Sequence, residues 1–82
     1  VLRRVPDFAE AHNNLGVVLL RKRKLAEAES AHRRALRLRP DSAEGWTNLG
    51  LALAEQGWLD EALACYDRAL AIRPDSPDAH RN

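Results

Sequence analysis

Three asparagines, Asn14, Asn48 and Asn82, fall at a constant interval of 34 residues. An asparagine side chain carries a carbonyl acceptor and two amide donors, so it can pair with a peptide unit in both senses, whatever side chains that peptide bears. The chemistry such a ladder offers is recognition rather than bond-making. His12 and His32 are potential metal ligands, but two imidazoles with no Cys or carboxylate at ligand spacing make a poor site. Cys65 is the single cysteine. It lies beside Tyr66 with no histidine in register to take its proton, which makes it a packing residue rather than a nucleophile. Arg21, Lys22, Arg23 and Lys24 form a basic run that could meet an anionic surface. No aromatic is interleaved for base stacking, so the run reads as a solvated turn and no nucleic-acid partner is expected. Gly-rich phosphate loops, carboxylate pairs and triad spacings are absent from the sequence, so neither catalysis nor a cofactor or metal is expected.

The elements that position these residues are written in the same period. Pro6-Asp7, Pro40-Asp41 and Pro74-Asp75 also recur every 34 residues, and 15 of 34 positions in 6–39 match 40–73 without a gap. Each unit reads as two helices. His12, Leu15, Gly16 and Leu19 follow the i, i+3, i+4, i+7 spacing of one helical face, and Trp46, Leu49, Gly50 and Leu53 repeat it. A second stripe, Leu25, Ala28, His32, Ala35 and Leu36, is echoed by Leu59, Ala62, Tyr66, Ala69 and Leu70.

The stretches 21–24 and 55–58 join the helices of each pair. Gly57 can end a helix at low backbone cost, where the first unit must manage with Arg23. Asp7 to Glu10 and Asp41 to Glu44 fit capping boxes with an acidic cap. Pro40 and Pro74 stop the preceding helix, because proline lacks the amide donor and disfavours helical geometry before it. Small residues on the stripes, Gly16, Gly50, Ala28, Ala62, Ala35 and Ala69, predict close antiparallel packing within each pair. His12 and His32 then face each other as a buried neutral pair, with pKa values lowered by burial.

Trp46, Leu49, Gly50, Leu53, Ala62, Tyr66, Ala69 and Pro74 stand at the spacing of the tetratricopeptide repeat, and the chain resembles that family along its whole length. The main departures are His12 and His32, where the second unit has Trp46 and Tyr66. The resemblance implies an all-α fold of tandem antiparallel helix pairs forming a right-handed superhelical solenoid. Its repeats span 9–42 and 43–76, with the end of a preceding helix at 1–5 and the start of a third repeat at 77–82. It further implies that the first helix of each unit lines an inner groove.

At about 100° per residue, Glu10, Asn13, Asn14, Val17 and Arg21 lie opposite the first stripe and would look into that groove. Glu44, Thr47, Asn48, Leu51 and Glu55 are their counterparts, followed by Asp78, Arg81 and Asn82. First helices about 9–10 Å apart, against about 3.3 Å per extended residue, would let one asparagine grip every third residue of a peptide. This is similar to the asparagine ladder in the repeat region of O-linked N-acetylglucosamine transferases. The same asparagines could instead bridge adjacent helices, and the sequence leaves both readings open.

Composition agrees with a soluble globular chain. Of 82 residues 45% are hydrophobic and 30% charged, and no apolar run approaches the roughly 20 residues a bilayer span needs, so no membrane partner is expected. Net charge is +1, yet Val1–Arg39 holds ten basic and four acidic residues while Pro40–Asn82 holds three and eight. A lone cysteine fits a reducing, cytoplasmic setting. Val1 in place of Met, with no signal-peptide succession, suggests a segment of a larger protein.

The function these observations favour is a non-enzymatic scaffold for protein interaction, binding an extended peptide or partner protein in the groove. Two other readings stand beside it. One is a region that presents protein substrates to a glycosyltransferase's catalytic domain, and the other is a self-assembling repeat module. Units that bury only one side need neighbours, so apolar surface is expected at the ends, leading to self-association or easy melting.

Overall fold

The computed structural model describes residues 8–72. Four helices follow one another: α1 (Phe8–Arg21), α2 (Leu25–Leu38), α3 (Ala43–Glu55) and α4 (Leu59–Ile72). Helix α1 packs along α2 and α3 along α4. Helix α2 joins the two pairs by packing on α3, while α1 and α3 touch more lightly. The two first helices are therefore neighbours, with the second helices outside the line they make.

Within each pair the period of the sequence becomes a period of contacts. Gly16 lies under the His32 ring, where a Cβ would come within 2.5 Å of Cε1. Gly50, one period on, lies under Tyr66, where a Cβ would come within 2.7 Å of Cε1. One aromatic ring thus sits on one bare backbone position in each pair, and any side chain there would force the ring or the helix to shift.

The turns inside the pairs are equally alike. Arg23 N donates to Leu20 O and Lys24 N to Leu19 O, while Gly57 N donates to Ala54 O and Trp58 N to Leu53 O, all at 2.9–3.0 Å. These are the two crossed bonds of a Schellman ending, which place the residue after the helix in the left-handed region. Gly57 takes φ +92° freely, but Arg23 is forced to φ +64°. For a residue with a Cβ that conformation costs roughly 1–2 kcal/mol. Arg23 also makes an exposed ion pair with Glu55 at 2.7 Å, a contact of under about 1 kcal/mol. Arg23→Gly is therefore expected to raise stability by about 0.5–1 kcal/mol in urea unfolding, and a loss would show that the ion pair outweighs the strain.

Two sequence expectations are corrected. The cap of α3 is Ser42 rather than Asp41: the Ser42 hydroxyl accepts from Gly45 N at 2.9 Å. Asp and Ser are nearly equal as caps, and starting the helix at Ala43 moves Glu44 out of the reciprocal capping position. Nor do the stripes bury evenly. Leu49 and Leu53 are fully buried, whereas Leu15 of the first stripe is exposed, because α3 has α2 on its flank and no described helix lies there on α1. Asp7 of the first capping box lies outside the described residues.

The core runs through Leu36, Leu49, Leu53, Ala62 and Cys65, with Trp46, Ala54 and Tyr66 packed against it. Leu36 comes from α2 and the rest from the second pair, so one cluster stabilises both the pair and the joint. Gly45 lets α3 approach α2, since a Cβ there would lie 2.9 Å from Leu36 Cδ2. The rim of the joint is polar: Gln56 Nε2 donates to Glu29 Oε1 at 2.9 Å. That amide, with Arg33 Nε at 2.8 Å, holds the Glu29 carboxyl below its usual pKa.

Candidate functional site

The residues opposite the buried stripes occupy the flank of α1 and α3. Asn14 is exposed and Asn48 half-buried, and among the described residues neither side-chain amide has a hydrogen-bond partner. Among the described residues neither asparagine ties one helix to the next by a hydrogen bond. Glu10, Arg21, Glu44, Thr47, Leu51 and Glu55 are exposed and Val17 is half-buried. Thr47 Oγ1 donates back to Ala43 O at 3.0 Å, and Glu55 is held by Arg23. Asn82 lies outside the described residues.

Asn13 differs from its neighbours. Its Oδ1 lies 2.9 Å from Nδ1 of His32, so the side chain turns toward the helix pair rather than outward. An amide oxygen can only accept, which sets the proton of the neutral imidazole on Nδ1. His32 is completely buried, its Nε2 has no hydrogen-bond partner among the described residues, and burial holds its pKa below the ordinary histidine value. His12 is only half-buried, so the expected buried pair is a single buried histidine. Among the described residues no group of three or more His, Cys, Asp and Glu side chains could hold a metal ion. Cys65 is buried, which pushes its thiol pKa up and suits packing rather than nucleophilic chemistry.

Where α1 begins beside the start of α3, a pocket of about 230 Å³ opens, lined by Ala9, Glu10, Asn13, Asn14, Arg39, Ser42 and Glu44. It brings together four of the residues predicted from the sequence: Glu10, Asn13, Asn14 and Glu44. Val17, Arg21, Thr47, Asn48, Leu51 and Glu55 lie elsewhere along the two helices. Arg39 and Ser42 were missed. Each carries a partial signal, since Arg73 and Ser76 repeat them one period on while Val5 and Phe8 break the pattern one period back. The lining mixes carboxylates, amides, a hydroxyl and a guanidinium, and groups of that kind can pair with amides. The second unit's aromatic, Trp46, lies outside this pocket and packs against the core: its indole donates to Pro40 O at 2.8 Å and Arg68 lies over its ring at 5.0 Å.

Two antiparallel helix pairs in a 34-residue phase, stacked through a shared core, define a helical-repeat protein. The tetratricopeptide repeat model matches residues 1–42 and, in a second register, 20–77, and the chain belongs to the tetratricopeptide repeat family. Comparison with curated proteins gave no match. Repeats of this family are generally non-catalytic scaffolds for protein interaction. Among the described residues no helix is long and apolar enough to cross a membrane.

Proposed function

We propose that the flank formed by α1 and α3 binds an extended peptide of a protein partner through its backbone, with Asn14 and Asn48 as equivalent contacts one repeat apart. The observation that carries this reading is the state of those two side chains: equivalent in sequence, on adjacent first helices, and without hydrogen-bond partners among the described residues. An amide that stabilises nothing internally is free to pair with a guest. The mixed donor and acceptor lining beside Asn14 supports an amide-rich ligand. Repeats taken at 9–42 and 43–76, continuing in a right-handed superhelix, would extend the ladder to Asn82.

Selection from a random peptide library would supply a ligand, and fluorescence anisotropy its affinity. Each asparagine is worth about 1 kcal/mol, so the double variant Asn14→Ala, Asn48→Ala is expected to bind about 30-fold more weakly. Its circular dichroism should be unchanged, since neither amide supports the fold. Equal affinity in the double variant would remove the ladder from the function.

A further inference from the structure

We infer that His32 is a positioning residue for recognition: it holds Asn13 as a group that only donates hydrogen bonds, so that the first unit takes a neutral peptide carbonyl and fixes the register of the bound chain. This rests on the peptide-binding reading of the α1 and α3 flank and adds to it the contact that sets register.

The His32 ring is held at two points of α1. Its Nδ1 lies 2.9 Å from Asn13 Oδ1, and its Nε2 lies over Gly16, where a Cβ would come within 2.5 Å of it. Asn13 and Gly16 are three residues apart on one helix face. A neutral imidazole carries one proton. With an acceptor at Nδ1 and none at Nε2 among the described residues, that proton stays on Nδ1 and occupies the Asn13 carbonyl. What Asn13 has left is Nδ2, with two donor hydrogens and no acceptor. Among the described residues Nδ2 has no partner, and it is not enclosed, since His32 Nε2 is the one buried side-chain nitrogen or oxygen there without a bond. Asn13 lines the pocket at the start of α1, and its amino group is the part of it that can serve a ligand.

The second unit has no copy of this pair. Thr47, the twin of Asn13 one period on, turns its hydroxyl back to Ala43 O at 3.0 Å. Tyr66, the twin of His32, lays its ring over Gly50. The difference matters for a ladder. Asn14 and Asn48 are equivalent and can each pair with a peptide unit in either sense, so an extended peptide displaced by one repeat meets the same contacts. A group that only donates, present in one of the two described units, removes that equivalence. The acceptor it takes is a neutral carbonyl rather than a carboxylate, because Glu10 and Glu44 line the same pocket against the one cation Arg39, and a further anion would meet like charge.

The test uses the library-selected peptide with the 82-residue chain at neutral pH, affinity being read by fluorescence anisotropy. Asn13→Asp keeps an acceptor for His32 and removes the donors. It should bind about fivefold more weakly, with the helical circular dichroism of the parent. His32→Phe keeps a ring over Gly16, as Tyr66 does over Gly50, and leaves Asn13 unheld. It should bind about threefold more weakly, because the ligand must then order the Asn13 side chain itself. Thiocarbonyls, which are weaker acceptors, are then put in place of the peptide's backbone carbonyls one at a time. At one position the replacement should weaken binding to the parent and have no effect on binding to Asn13→Asp, the coupling expected of a direct contact. Either folded variant binding as tightly as the parent, or a scan in which no position couples to Asn13, would overturn the inference. The ladder fails separately, through the Asn14→Ala, Asn48→Ala variant, which leaves Asn13 and His32 intact.

Discussion

Leu49→Ala is expected to destabilise the chain by about 2–5 kcal/mol, enough to unfold much of a two-pair array. Leu49 is 1% exposed and belongs to the cluster with Leu36 of α2, Leu53 of α3, and Ala62 and Cys65 of α4. Truncating it removes contacts inside the second pair and across the joint together, and the helices around it are already at close approach at Gly45 and Gly50. They can collapse little further into the space, so most of the cavity cost persists. Leu15→Ala makes the same chemical change at the twin position, where the side chain is half exposed. In dilute solution it should cost no more than about 0.5 kcal/mol. Urea unfolding followed by circular dichroism would check both. Equal effects from the two substitutions would mean that the joint contributes nothing to Leu49.

The second large effect is on pH. His32 is buried, its Nδ1 proton is committed to Asn13, and its Nε2 is enclosed without a partner among the described residues. A second proton would have to enter at Nε2 with no acceptor to receive it, which is why burial depresses the folded pKa. The folded state then binds that proton more weakly than the unfolded chain, whose histidine titrates near pH 6.5. Stability is intact above that value and declines as pH falls through it, by up to about 1.4 kcal/mol per pH unit, until the folded pKa is reached. His32→Tyr, which copies Tyr66 of the second pair, should flatten this slope, and Asn13 would then be left to solvent at its half-buried position. Thermal melts between pH 7.5 and 5 would read it. A parent chain whose melting does not move with pH would show that His32 accepts its proton in the folded state at no cost.

These two predictions separate what could be read in the sequence from what could not. The interval of 34 residues located the four described helices, the close approach at Gly16 and Gly50, and the awkward Arg23 beside the easy Gly57. Each of these depends on local geometry, which spacing records. The exposure of Leu15 was not legible, because a stripe says that a face is suited to burial and not whether a neighbour is there to bury it. Ser42 and Asp41 are adjacent residues with similar capping strength, and only the placed backbone chooses between them. The Asn13–His32 contact joins residues 19 apart on different helices, and a helical wheel of α1 alone turns Asn13 outward.

The candidate site was legible to the same extent. Period and helical phase put Asn14 and Asn48 on one flank, and the structure adds that neither is used within the described fold. The pocket at the start of α1 needed the α2–α3 turn as well, since it is Arg39 and Ser42 that complete its wall. Turn residues have no helical phase from which their direction can be read.

The most direct test of the recognition surface is a titration of isotope-labelled chain with a library-selected peptide, following side-chain amide resonances by nuclear magnetic resonance. Gln56 is an internal reference, because its amide is already bonded to Glu29 Oε1 at 2.9 Å and Ala52 O at 3.2 Å. Saturable shifts of the Asn14 and Asn48 side-chain amides, with Gln56 nearly still, are the predicted result. Binding that leaves both asparagine amides unmoved would contradict it.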